Sequence, residues 1–164
     1  MRAAGALFAI VLLALSISGC ASAPAKKSDD DCLVIIMTET INPSRVEEAR
    51  HYEFSFTGTA PTVRVKPHFT PVLLHEPGVQ IAAISSWVQG DNVRGSKSND
   101  KTELLLPYAP GKLVIADFVF VQTYKQENNR TISCGVKLRQ ISPEEKGKLI
   151  AYLKADAGYA PWFE

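Results

Sequence analysis

With 164 residues, 46% of them hydrophobic and 21% charged, the chain has the composition of one globular domain carrying a short appendage. The formal charge is +1, and because residues 1–19 contain Arg2 and no acid, the remainder carries 17 basic and 17 acidic side chains. Nucleic-acid affinity comes largely from clustered cations, and a neutral domain whose nearest basic clusters are Lys26-Lys27 and Lys146/Lys148 does not supply them, so no nucleic-acid partner is expected.

Residues 1–19 read as an export signal. Arg2 and the amino terminus form a short positive start, and an apolar run from Ala3 to Gly19 follows. A permanent spanning helix is the rival reading. The run has 17 residues, at the lower limit for crossing ~30 Å of hydrocarbon, and is rich in Ala, Gly and Ser, so removal is expected instead. It ends in LSISGC, residues 15–20. There Ile17-Ser18-Gly19-Cys20 resembles the lipobox of bacterial lipoproteins: a branched apolar residue, a small polar one, Gly or Ala, then Cys. The resemblance covers residues 1–20 only. It implies that the Cys20 thiol receives a diacylglycerol, that cleavage falls just before it, and that the new amino terminus is acylated. A plain secreted protein cut at Ala21-Ser22-Ala23 is the alternative. Each buried methylene contributes ~0.8 kcal/mol, so two or three chains hold a protein stably to a membrane without spanning it. The resemblance places the protein at the extracytoplasmic face of a bacterial envelope, and Ala21, rather than Asp, implies outer-membrane delivery in a diderm host.

Residues 20–31, the lipid-bearing cysteine and ASAPAKKSDDD, hold no apolar side chain after Cys20 larger than Ala or Pro. Such a stretch predicts a flexible tether with a mean reach of ~15–20 Å, followed by the domain over residues 32–164. Asp29-Asp30-Asp31 reads as a solvated acid run, since a calcium site needs further oxygen ligands at loop spacing. With Cys20 lipidated, Cys32 and Cys134 remain as a pair in an oxidising compartment. A disulfide between them closes a loop of about 100 residues, worth ~4.7 kcal/mol by chain entropy. Two buried thiols are the other possibility.

From Cys32 onward the periodicity is that of strands. CLVIIMT (32–38) is a continuous apolar run suited to a central strand, and HYEFSFTG alternates Tyr52, Phe54 and Phe56 with Glu53, Ser55 and Thr57. TVRVK, VQIAAISSWVQ (79–89), ELLL (103–106), KLVIADFVFVQTY (112–124) and TISCGVKLRQI (131–141) bring the total to about seven. Pro77-Gly78 and Pro110-Gly111 suit the central positions of type II turns, and QGDNVRGSKSND (89–100) is a long loop. Short strands at this spacing predict a single, mainly β, sandwich-like domain. NPSRVEEAR suggests a short helix capped by Ser44. Ser142-Pro143-Glu144-Glu145 starts a stronger one, expected to run to about Ala157 with Leu149, Ile150 and Leu153 on the sheet and Lys146, Lys148 and Lys154 in water. The tail GYAPWFE either closes the core or touches a partner or membrane through Trp162 and Phe163.

No nucleophile elbow, phosphate-cradling loop or H-E-x-x-H occurs, and no catalytic residue, cofactor or metal is expected. The one constellation that would support a metal-dependent enzyme is His68, His75 and Glu76, provided they converge. Asp117 interrupts an apolar strand. Either the face with Val114, Ala116, Phe118 and Phe120 is buried, or Asp117 is, with a partner such as Arg64, Arg139 or a backbone donor. Asn129-Arg130-Thr131 is a glycosylation sequon, discounted beside a bacterial lipobox. The expected function is a non-enzymatic binding or adhesion module for an envelope protein or extracellular ligand. An accessory structural subunit of an envelope complex is the alternative.

Overall fold

The computed structural model describes residues 23–41, 50–58, 60–88, 104–127 and 130–164. Among these, eight strands form two four-stranded sheets: β1 (Cys32–Ile41), β2 (Arg50–Phe56), β3 (Val63–Arg64), β4 (Phe69–Leu74), β5 (Gln80–Val88), β6 (Leu104–Leu105), β7 (Leu113–Glu127) and β8 (Arg130–Gln140). One helix, α1 (Pro143–Ala155), and a 3-10 turn (Ala160–Trp162) follow. The inner sheet has the order β4-β1-β7-β8 and the outer sheet β3-β2-β5-β6. All pairings are antiparallel except that of β1 with β7, which run parallel at the centre of the inner sheet.

The mainly β, sandwich-like architecture and the C-terminal helix match the sequence reading, with one strand more than expected. The extra strand is β4, hidden by Pro71. Proline removes a ladder donor and is tolerated at sheet edges, and β4 is an edge strand with Pro71 opposite Ile35.

The inner sheet is covered on both faces, so β1 reads as an unbroken apolar run rather than an alternating one. Cys32, Val34 and Ile36 meet Tyr52, Phe54, Ile81 and Ile84 of the outer sheet. Leu33 and Ile35 point the other way, into a second cluster with Phe69, Val119, Leu153, Tyr159 and Trp162. Phe120 of β7 crosses the space between the sheets, edge-to-face with Tyr52 at 5.7 Å and with Phe54 at 4.9 Å.

Asp117 sits where the register between β1 and β7 slips, between the Ile35 and Met37 pairings. Such irregularities re-aim side chains. Ala116 and Phe120 are buried between the sheets with Val114 and Phe118 packed against them, while Ile115, Val119 and Val121 are buried under the helix. Asp117 itself is 81% exposed and accepts from Lys146 Nζ at 2.9 Å. The buried-carboxylate alternative is therefore excluded.

The start of α1 follows its sequence. Ser142 Oγ accepts from the Glu145 N–H, and a Glu145 carboxylate oxygen accepts from the Ser142 N–H. Arg139 donates to both Glu145 and Glu39, tying β8, β1 and the helix start together. Its bonds to Arg139 and Ser142 hold the Glu145 carboxyl down to about 2, and the two carboxylates hold the Arg139 guanidinium above its ordinary value. The helix stops at Ala155, two residues earlier than predicted. Gly78 and Gly111 have φ of 82° and 72°, the left-handed conformation that their Pro-Gly turns require.

The Cys32–Cys134 disulfide does not form. Cys32 is a free, buried thiol at the first position of β1. Cys134 pairs with Tyr124 of β7, next to Thr123, which pairs with Ile41 at the far end of β1. Nine residues of strand lie between the two levels, about 30 Å at 3.3 Å per residue, whereas a bridge needs alpha carbons within about 7 Å. Sequence counting paired the cysteines by number alone and had no access to register. The expected lipidation site Cys20, the loop 89–100, Asn129 and the candidate helix 42–50, except for Arg50 at the start of β2, lie outside the described residues.

Candidate functional site

A densely hydrogen-bonded polar region lies where the chain enters the domain. Residues 23–31, expected as part of a free tether, instead form a strap held against the fold. The Pro24 carbonyl accepts from Trp162 Nε1 at 3.1 Å, and Ala23 packs on the cluster under the helix. The strap then turns at Ser28, with the Asp31 N–H donating to the Ser28 carbonyl. Tyr108 donates its hydroxyl to the Asp30 carbonyl at 2.6 Å, and the Gly111 N–H donates to the Asp31 carbonyl at 2.8 Å. A side chain at Gly111 would bring its first carbon within 3.2 Å of the Asp29 carbonyl, so glycine there permits the close approach.

Asp31 is the clasp. Only 2% exposed, its carboxylate accepts from the N–H groups of Lys27 (2.7 Å) and Ser28 (3.0 Å) and meets His75 Nδ1 at 2.7 Å. Burial alone pushes the carboxyl up. The Lys27 N–H, the His75 ring and the Ser28 N–H together outweigh it and hold Asp31 below its ordinary value. The acid run is thus divided: Asp29 and Asp30 are exposed, and Asp31 is a satisfied buried anion. The pairing follows from register, since Cys32 lies opposite Leu74 and the next residue outward on each strand is Asp31 and His75.

His75, Asp31 and Cys32 are three residue types common in catalytic sites, but their arrangement is not one. Cys32 is wholly buried on the inward face, where Sγ accepts from the Ala109 N–H at 3.3 Å. Burial, opposed by that N–H, pushes its thiol up, away from the thiolate a nucleophile requires. The His75 ring is 62% exposed, and Asp31 is its one hydrogen-bond partner among the described residues. His68 does not converge with it. His68 precedes β4 and His75 follows it, so seven residue steps, about 23 Å, separate them. Among the described residues no group of three or more His, Cys, Asp or Glu side chains is placed to hold a metal ion. The sequence reading missed the strap, although Ser28 three residues before Asp31 was a visible turn signal.

The clasp should open in acid. Because the folded-state value of Asp31 lies below the unfolded one, its contribution to stability is complete above the ordinary carboxylate range near pH 4 and is lost as the pH falls through the depressed value. Amide protection factors of Lys27 and Ser28, measured by NMR, should fall across that window before those of β1 do. In Asp31→Asn they should be low already at neutral pH. Equal acid sensitivity of strap and β1 amides in the wild type would contradict this.

No protein-family model matches the chain, and no curated protein or solved structure matches it.

Proposed function

We propose that this is a bacterial lipoprotein, held by acyl chains on Cys20 at an extracytoplasmic membrane face, whose sandwich domain binds another envelope protein or an extracellular ligand without catalysing a reaction. One observation carries the reading: Ile17-Ser18-Gly19-Cys20 stands at the C-terminal end of an apolar run behind a positive start, where lipid transfer and cleavage require it. The clasp supports the binding half, because the Asp31 carboxylate and the His75 imidazole are engaged in holding the strap rather than poised around a reacting atom. A sheet scaffold presenting loops is a common platform for recognition. In a diderm host Ala21 directs the protein to the outer membrane. The second reading, an accessory subunit of an envelope complex, is favoured by Phe163, which remains 36% exposed beside the buried Trp162.

The anchor is tested by Cys20→Ala in a bacterial host. The variant should accumulate as uncleaved precursor or leave the membrane fraction, and labelled palmitate should enter the wild type only. A wild-type protein that keeps its initiating methionine and takes up no acyl mass would overturn the proposal. The binding role is tested by crosslinked affinity capture of the lipidated protein from its own envelope, with the Cys20→Ala variant as control.

A further inference from the structure

The strap shortens the tether, and a short tether restricts which face of the domain can meet the membrane. With Ala23 and Pro24 seated on the helix layer, three residue steps separate Ala23 from the Cys20 sulfur that carries lipid. Fully extended they reach about 11 Å, against the 15–20 Å average of an eleven-residue leash. A domain held that closely must present the surface around Ala23 to the bilayer.

That surface is the C-terminal tail. A side-chain carbon built on Gly158 would come within 4.0 Å of the Ala23 backbone nitrogen, and Pro24 is bonded to Trp162. Phe163, next in the chain, is exposed, with the Lys154 ammonium 5.6 Å from its ring centre. An aromatic ring beside a long cationic side chain suits the headgroup boundary, where the ring buries and the ammonium stays wet. Lys26 and Lys27 of the strap add cations, and Asp156 and Glu164 add anions, so reach and the aromatic ring dominate over net charge.

Resting on the lipid-anchor reading, we propose that the Phe163–Lys154 tail face lies on the phospholipid surface and orients the sandwich with its outer sheet away from the membrane. The two faces of the inner sheet fix that direction, since α1 and the tail cover one and the outer sheet covers the other. The exposed side of β2, β3, β5 and β6 is then the side offered to a partner.

The test uses the full-length protein acylated at Cys20, reconstituted into vesicles of phosphatidylethanolamine and phosphatidylglycerol. A benzophenone side chain is placed at position 163 or at position 53, which alternates with the inward-facing Tyr52 and Phe54 and so points outward from the outer sheet. Flotation reports the anchor independently. Irradiation should then give on the order of tenfold more phospholipid adduct at 163 than at 53, because interfacial burial reaches only ~5–10 Å. A Gly/Ser insertion of about ten residues between Ala21 and Ser22 should bring the two yields together by lengthening the reach. Vesicles that float yet give equal adduct at both positions without the insertion overturn the orientation and leave the anchor standing. Failure to float overturns the anchor and the orientation with it.

Discussion

Phe120→Ala should lower the free energy of unfolding by about 3–5 kcal/mol, the usual cost of emptying a large buried aromatic site. Phe120 is wholly buried and is the side chain of β7 that meets two rings of β2 edge-to-face. Removing it leaves a cavity at the seam between the sheets and abolishes both ring contacts, each worth about 0.5–1.5 kcal/mol beyond area. Against a typical total of about 5–15 kcal/mol, this is a large fraction of the whole. Urea denaturation followed by circular dichroism measures this, with Phe120→Leu losing clearly less. A loss under about 1 kcal/mol for the alanine variant would mean that the sheets do not pack through this ring.

Trp162 comes next, because it serves both the core and the strap. Trp162→Ala should cost about 3–5 kcal/mol, as its ring is 3% exposed within the cluster formed by Leu33, Ile35, Val119 and Leu153. Trp162→Phe separates the two roles: most of the packing stays, and the indole donor to the Pro24 carbonyl goes. Its stability loss should be about 0.5–1.5 kcal/mol, the net value of one hydrogen bond. Trypsin should nevertheless cut faster after Lys26 and Lys27 in this variant than in the wild type. Unchanged cleavage in Trp162→Phe would show that the strap is held by other contacts, Asp31 foremost.

What the sequence disclosed, and what it hid, divides along physical lines. Strands were legible where apolar runs or period-two alternation stood alone, as in CLVIIMT and in Tyr52-Phe54. β4 was not, because Pro71 looks like a breaker until its place at a sheet edge is known. The capping box at Ser142–Glu145 was read from four adjacent letters, since its bonds are local. The Asp31–His75 pair joins positions 44 apart, and only the register of β1 against β4 brings them together. The same register, continued across β7 to β8, carried Cys134 away from Cys32, which composition and compartment alone had joined. Asp117 shows the intermediate case: alternation named the two faces of β7 correctly, but the slip that turns the carboxylate out to Lys146 left no mark in the letters.

The parallel contact between β1 and β7 has a consequence for biogenesis. Leu33 faces Leu113, a partner about 80 residues downstream, and non-local pairing of this kind belongs to domains that fold in milliseconds to seconds rather than microseconds. During synthesis β1 therefore emerges long before its central neighbour, and β4, at the sheet edge, is the one ladder partner that arrives in between. Until the last third of the polypeptide has emerged, β1 is a sticky, half-paired ribbon, and chaperones have a defined target in residues 32–41.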